Sequence, residues 1–258
     1  MTREFISIVA AAAAVLAVAI ALPNGGLAHA AEIKVLSSVG YKGAISELAR
    51  RFEVAAGHKV VTDFEVVAVL KRRIDAGEAF DVAVLSPTLI AELIQAGKIV
   101  ADTRATIGRI GMGLGVRKGG PRPDMSSPET FRQVLLGAKS IGYSKEGGSG
   151  KTFFAMLDRM GIAAEMKPKV KAVGAPTIQA VINGDTEFVF TSVVLILSDP
   201  AVELVGRLPA ELQSYVVPTA GANAIAKEPE AAKAFILFLT APAAAPVLKA
   251  YGVEPGQH

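Results

Sequence analysis

The chain has no cysteine, no tryptophan, four tyrosines and three histidines in 258 residues. Without cysteine there is neither a disulfide nor a thiolate nucleophile, so the fold must hold by packing alone. So few tyrosines, and no tryptophan, leave little from which to build an aromatic platform for stacking sugars. His29 falls in the leader segment described below, His58 follows Gly57 in a turn-like Gly-His-Lys, and His258 is the last residue. No histidine cluster remains for a metal centre, and the methionines form none either, so no cofactor is implied. A serine hydrolase would need a histidine base, and His58 is the sole internal candidate, which leaves that reading weak. The net charge is only +3 and the charges are scattered. There is no basic stripe of the kind nucleic acid requires.

The first thirty residues read as an address. Arg3 gives a short basic start, 6–22 is apolar and uncharged, Pro23-Asn24-Gly25-Gly26 breaks the run, and Ala28-His29-Ala30 follows the small-x-small rule. These are the three parts of a secretory signal peptide, 1–30, with cleavage expected after Ala30 and a periplasmic destination. The apolar run is at the lower edge of what spans a bilayer, and no later segment is long and apolar enough.

Beyond the leader, short β-branched runs alternate with helical patterns, the mark of an α/β protein with mostly parallel sheets. Strands are expected at 33–36, 59–64, 81–85, 140–143, 169–173, 187–191 and 202–205, with extended chain at 214–217 and 221–226. In the first helix Ile45, Leu48, Ala49 and Phe52 follow the i, i+3, i+4, i+7 spacing and Gly57 stops it. Further helices are expected at 67–76, from Ser86-Pro87 to Gly97, from Ser127-Pro128 onward, and at 151–160, 176–182, 229–240 and 242–251. The segment 107–116 carries Gly108, Gly111, Gly113 and Gly115 among apolar residues, as extended chain does where it passes close to other backbone.

Several patterns together resemble the molybdate-binding-like branch of the type 2 periplasmic binding proteins. They are Leu70-x-x-x-Ile74-x-x-Gly77-x-x-x-Asp81-Val82, then Ile141-Gly142-Tyr143-Ser144 with Gly147-Gly148-Ser149-Gly150 and Leu157-x-x-Met160-Gly161-Ile162, then Ala231-x-x-x-Phe235-x-x-Phe238-Leu239-Thr240-x-Pro242 and Leu248-x-x-Tyr251-Gly252. The resemblance spans nearly all the chain after the leader. It implies two α/β lobes, 31–116 plus 218–258 and 117–217, joined by crossovers at 107–116 and 216–226 that act as hinges. It also implies a ligand in the cleft and the membrane permease of an ABC importer as partner, with a ligand-sensing role beside a membrane receptor as the alternative. A monomer is expected. Molybdate binders of this branch offer hydroxyls at the start of the second helix, where this chain has Glu65-Val66-Val67-Ala68-Val69. Molybdate is therefore not the expected ligand; an organic acid or another small anion is.

Ligands of open α/β sheets sit beyond the carboxyl ends of the strands. Hydroxyls recur there: Ser37 and Ser38, Ser86, Ser144 with Ser149 and Thr152, and Thr191 with Ser192. With free helix amides they would form an uncharged anion cradle, although serine and threonine are also ordinary helix caps. Tyr41 and Arg109 are further candidates, the arginine as a bidentate carboxylate partner. Gly150 would let backbone approach the ligand. The Gly147 to Thr152 run lacks the first glycine of a phosphate-binding loop, position 145 being lysine.

Overall fold

The computed structural model describes residues 30–144 and 148–256. The leader 1–29, Gly147 and His258 lie outside the described residues. The chain runs β1 (Glu32–Ser38), α1 (Lys42–Ala56), β2 (Lys59–Glu65), α2 (Val67–Asp75), β3 (Val82–Leu85), α3 (Pro87–Gln95), β4 (Ala105–Thr106) and β5 (Gly108–Arg117). It continues α4 (Pro128–Gly137), β6 (Ile141–Ser144), α5 (Gly148–Arg159), α6 (Ala163–Met166), β7 (Val170–Val173), α7 (Gln179–Ile182), β8 (Phe188–Ser192), α8 (Val193–Ile196) and β9 (Val202–Arg207). It closes with β10 (Tyr215–Val216), β11 (Thr219–Ala222), α9 (Pro229–Thr240), α10 (Ala245–Ala250) and β12 (Val253–Pro255).

The first sheet has the order β2-β1-β3-β11-β4, with β1 parallel to β2 and β3 and β11 antiparallel. Successive strand side chains point to opposite faces, and both faces are covered. Ile33, Val35, Val82 and Val84 face one core with α1, α9 and α10, whereas Leu36, Ala83 and Leu85 face another with α2 and α3. Burying each large aliphatic side chain contributes about 1.5–3 kcal/mol. Gly57, in the left-handed region at φ 70°, ends α1. Ser86 accepts the Leu89 amide at 3.3 Å and Pro87 opens α3. Buried Asp81 accepts the amides of Lys34, Lys227 and Glu228, which ties β1 to the start of α9 at the end of the sheet away from the hydroxyl-bearing loops.

The second sheet has the order β10-β5-β8-β6-β7, with β6, β7 and β8 parallel. Strands β8, β9, β10 and β12 all pair antiparallel with β5. Strand β5 thus belongs to both halves. Ile107 and Ile110 enter the first core; Met112, Leu114 and Val116 enter the second. The strand changes cores in mid-course, between Ile110 and Met112. The chain returns between Leu212 of the second core and Ala220 of the first.

The glycines of β5 are extended, with none at positive φ. Their role is close approach: a Cβ at Gly113 would stand 2.7 Å from the Gly206 carbonyl oxygen, and one at Gly108 2.3 Å from that of Glu254. This is the close passage to other backbone that the glycine spacing predicts.

Other expectations shift locally. Helix α5 begins at Gly148, so Ser149 and Gly150 lie in its first turn instead of in a turn before 151. Only 179–182 of the expected 176–182 helix is α-helical. Strand β9 runs to Arg207 and is antiparallel to β5. Strand β12 and helices α6 and α8 were not anticipated: β12 is three residues long, and α8 is a Val-Val-Leu-Ile run with a strand-like composition.

Candidate functional site

Register brings the candidate residues to common levels. Ser38 lies beside Glu65, and Ser37 beside both Phe64 and Val84. In the second sheet Ser144 lies beside Val173 and Tyr143 beside Phe190, so Thr191 and Ser192 extend one step past Tyr143. All these are carboxyl ends of parallel strands. The two ends meet: α8, which Ser192 opens, packs against the short 3-10 turn Val39–Tyr41 that Ser38 opens, and Val194 packs on the first core.

Within that junction the hydroxyls differ in what they can still do. Ser37 is fully buried and donates to the Ser38 carbonyl at 3.3 Å. Ser86 is occupied as the cap of α3. Ser38, Tyr41 and Thr191 are only 9%, 6% and 3% exposed, yet none of their hydroxyls makes a hydrogen bond among the described residues. None of the three oxygens is wholly sealed from solvent either, unlike that of Thr186, which is. Their oxygens keep access to solvent, so they stay hydrated in the empty protein and remain free to donate to a ligand that displaces that water. Burial pushes the Tyr41 phenol up to about 12, which keeps it protonated and a donor. Ser192 is half-buried and opens α8 without a side-chain capping bond.

The remaining candidates sit apart from this set or are committed. Ser144 and Thr152 are half-buried and each already has a partner. Ser149 is half-buried in the first turn of α5. Gly150 is buried, and a Cβ there would lie 2.4 Å from the Ser144 carbonyl oxygen. Its close approach is to this chain's own backbone, so replacing it strains the start of α5. Arg109 is exposed: its Nε stands 2.6 Å from a Glu254 oxygen and its guanidinium lies 4.5 Å from the Tyr215 ring centre. It serves the junction of β5 with β12.

One residue escaped the sequence reading: Thr177, 3% exposed and with no side-chain hydrogen bond among the described residues, follows β7 in a stretch expected as helix. Val39, Val66 and Val67 are exposed just past the ends of β1 and β2, so the apolar start of α2 expected from Glu65-Val66-Val67-Ala68-Val69 is open to solvent. Two cavities, of about 540 and 570 Å³, lie along β7 and α7 and behind the β5–β12 junction, and Ser38, Tyr41, Thr191 and Ser192 line neither. Among the described residues no three acidic or histidine side chains are grouped to hold a metal.

Two mostly parallel sheets whose carboxyl ends meet, joined by a strand common to both, define a two-lobed α/β binding protein of the periplasmic type. The model of the bacterial extracellular solute-binding proteins matches residues 33–254, and the chain belongs to that family. It is 27% identical over 233 residues to the molybdate-binding protein ModA of Azotobacter vinelandii, covering 87% of this chain and 90% of that one. It is 26% identical over 229 residues to an aconitate isomerase of Pseudomonas sp., covering 86% and 87%. Its fold matches a substrate-binding domain assigned to a molybdenum ABC transporter of Clostridium difficile with a TM-score of 0.78 at 15% identity, covering 88% of this chain and all of that one.

Proposed function

We propose that the protein captures a small anionic solute between its lobes and delivers it to the permease of an ABC importer, and that it does so after cleavage following Ala30. One observation carries this reading. Ser38 and Tyr41 on one lobe and Thr191 on the other, nearly buried and with no hydrogen bond among the described residues, lie at strand ends of the two lobes, where α8 packs against the 39–41 turn. Neutral donors of this kind hold an anion through charge-assisted hydrogen bonds without fixing a counter-charge. The hinge is the pair of chain crossings, in β5 and between Leu212 and Ala220, and closure over the ligand follows the behaviour of such two-lobed architectures.

Native mass spectrometry of protein purified without refolding tests the reading. An anion retained by the parent chain and lost from Ser38→Ala is expected; a neutral or cationic ligand, held equally by both, would overturn it. Small-angle scattering should show the radius of gyration fall on ligand addition.

A second reading comes from the isomerase relative: turnover of a polycarboxylate in the same cleft. Binding is preferred because the family model that matches 33–254 is that of solute-binding proteins; Lys42, which follows Tyr41 and stands 6.0 Å from the Phe64 ring centre, is the base that the second reading would need to use. Proton NMR of aconitate incubated with the protein separates the two. Conversion between the cis and trans isomers at a rate proportional to protein would favour the second.

A further inference from the structure

We infer that the cleft is shaped for an organic acid with an apolar carbon body, with the carboxylate held by the hydroxyls and the body laid on three valines. This rests on the anion-capturing reading and narrows it. Val39, Val66 and Val67 are 48%, 53% and 36% exposed, apolar side chains left open to water just past the ends of β1 and β2. Their placement follows from register. Ser38 and Glu65 are direct neighbours on parallel strands, so Val39 and Val66 leave the sheet side by side. Val66 caps α2 with no side-chain hydrogen bond, and Val67 and Ala68 form its first turn. One edge of the cleft is therefore a small apolar shelf directly beside the unpaired Ser38.

A compact oxyanion is charged on every side and needs donors all around it. Here one side offers methyl groups, and beyond them stands the Glu65 carboxylate, whose Oε2 lies 3.3 Å from the Val66 amide nitrogen. That side repels a dianion and desolvates it without return. An organic acid has the matching asymmetry. Its carboxylate reaches Ser38, Tyr41 and Thr191, and its hydrocarbon covers surface that is otherwise in contact with water.

The test is calorimetry on the mature chain with acetate, butyrate, hexanoate, sulfate and molybdate as probes. Affinity should rise about fourfold per methylene along the carboxylate series, the equivalent of ~0.8 kcal/mol for each buried CH₂. Val66→Ser and Val39→Ser are at exposed positions and should fold as the parent does; each should flatten that slope, the loss growing with the length of the carboxylate. Ser38→Ala should weaken all carboxylates alike. A flat series, or sulfate or molybdate bound more tightly than hexanoate, overturns the inference and leaves the anion reading standing. If no probe binds and the retained ligand is indifferent to Ser38→Ala, the anion reading fails and the inference falls with it.

Discussion

Arg109 and Glu254 are register partners on the antiparallel strands β5 and β12, and their side chains meet at 2.6 Å across that pairing. The same carboxylate lies 3.2 Å from Nη1 of Arg207, whose Nη2 donates to the Gly252 carbonyl at 3.3 Å. Nη1 is buried without a well-aligned hydrogen bond, so that contact is electrostatic. Arg207 belongs to β9, on the part of β5 that serves the second core, so one carboxylate fastens the C-terminal strand to both halves. Because Arg109 is about half exposed, each pair should contribute only ~0.2–1 kcal/mol. An Arg109→Ala, Glu254→Ala double-mutant cycle read by thermal unfolding should show coupling in that range. Strict additivity would dissolve the clamp.

Gly113→Val should destabilise the fold by about 1–3 kcal/mol, the usual cost of overpacking. The added side chain meets the Gly206 carbonyl, Leu204 and Val193 at 2.7, 3.0 and 3.4 Å. Urea titration should show a lower midpoint; an unchanged midpoint would mean that β9 and α8 give way freely.

Acid sensitivity has a traceable source in the first lobe. Arg73 and Lys34 hold the Glu78 carboxyl down to about 2 from an ordinary 4.5. The Arg73 Nε and Lys34 Nζ contacts are 2.5 and 2.7 Å, and Arg73 also pairs with Asp63. A depressed carboxyl stabilises the fold above its unfolded value, and that contribution is lost as pH falls from about 4.5 toward 2. The parent chain should therefore lose stability in that window more steeply than Glu78→Gln, as followed by circular dichroism. Parallel curves would rule the network out as the cause.

Thr191→Val replaces a buried, unpaired hydroxyl with a methyl group of the same shape. Losing a hydrogen bond to a charged ligand costs about 1.5–3 kcal/mol, or roughly ten- to a hundred-fold in affinity. The empty protein should meanwhile keep its stability, since the lost hydroxyl makes no hydrogen bond among the described residues and the shape is conserved. Affinity for the retained ligand and the melting point of the ligand-free variant are the two readings; weaker binding together with a lower melting point would instead make Thr191 a structural residue.

Periodicity made the first lobe legible. The β-branched runs of β1 and β3, the helical spacing from Ile45 to Phe52 and the Ser86-Pro87 start appear where the residues placed them, as does the Ser127-Pro128 start in the second lobe. What escaped was non-local. Arg109 is 145 positions from its partner Glu254, and no local pattern joins them. Helix α8 is a largely β-branched run whose Ile196 is buried with Val189 and Val202 of the second sheet while Val194 packs on the first core, contacts that no local pattern announces. At the site, the residue types were readable at strand ends, but whether a hydroxyl is spent or free was not: Ser37 and Ser38 are neighbours in sequence and opposite in that respect.

The insertion of β11 between β3 and β4 fixes an order of assembly. The first sheet has a gap until residues 219–222 exist, and its core lacks Phe235, Leu239 and Leu248 until the chain is nearly finished. The second core draws on residues 112–212 alone. A growing polypeptide can thus consolidate its middle while its beginning waits for its end. A chain stopped after Leu212 should keep the far-ultraviolet signature of the second lobe and present the first as a protease-sensitive segment.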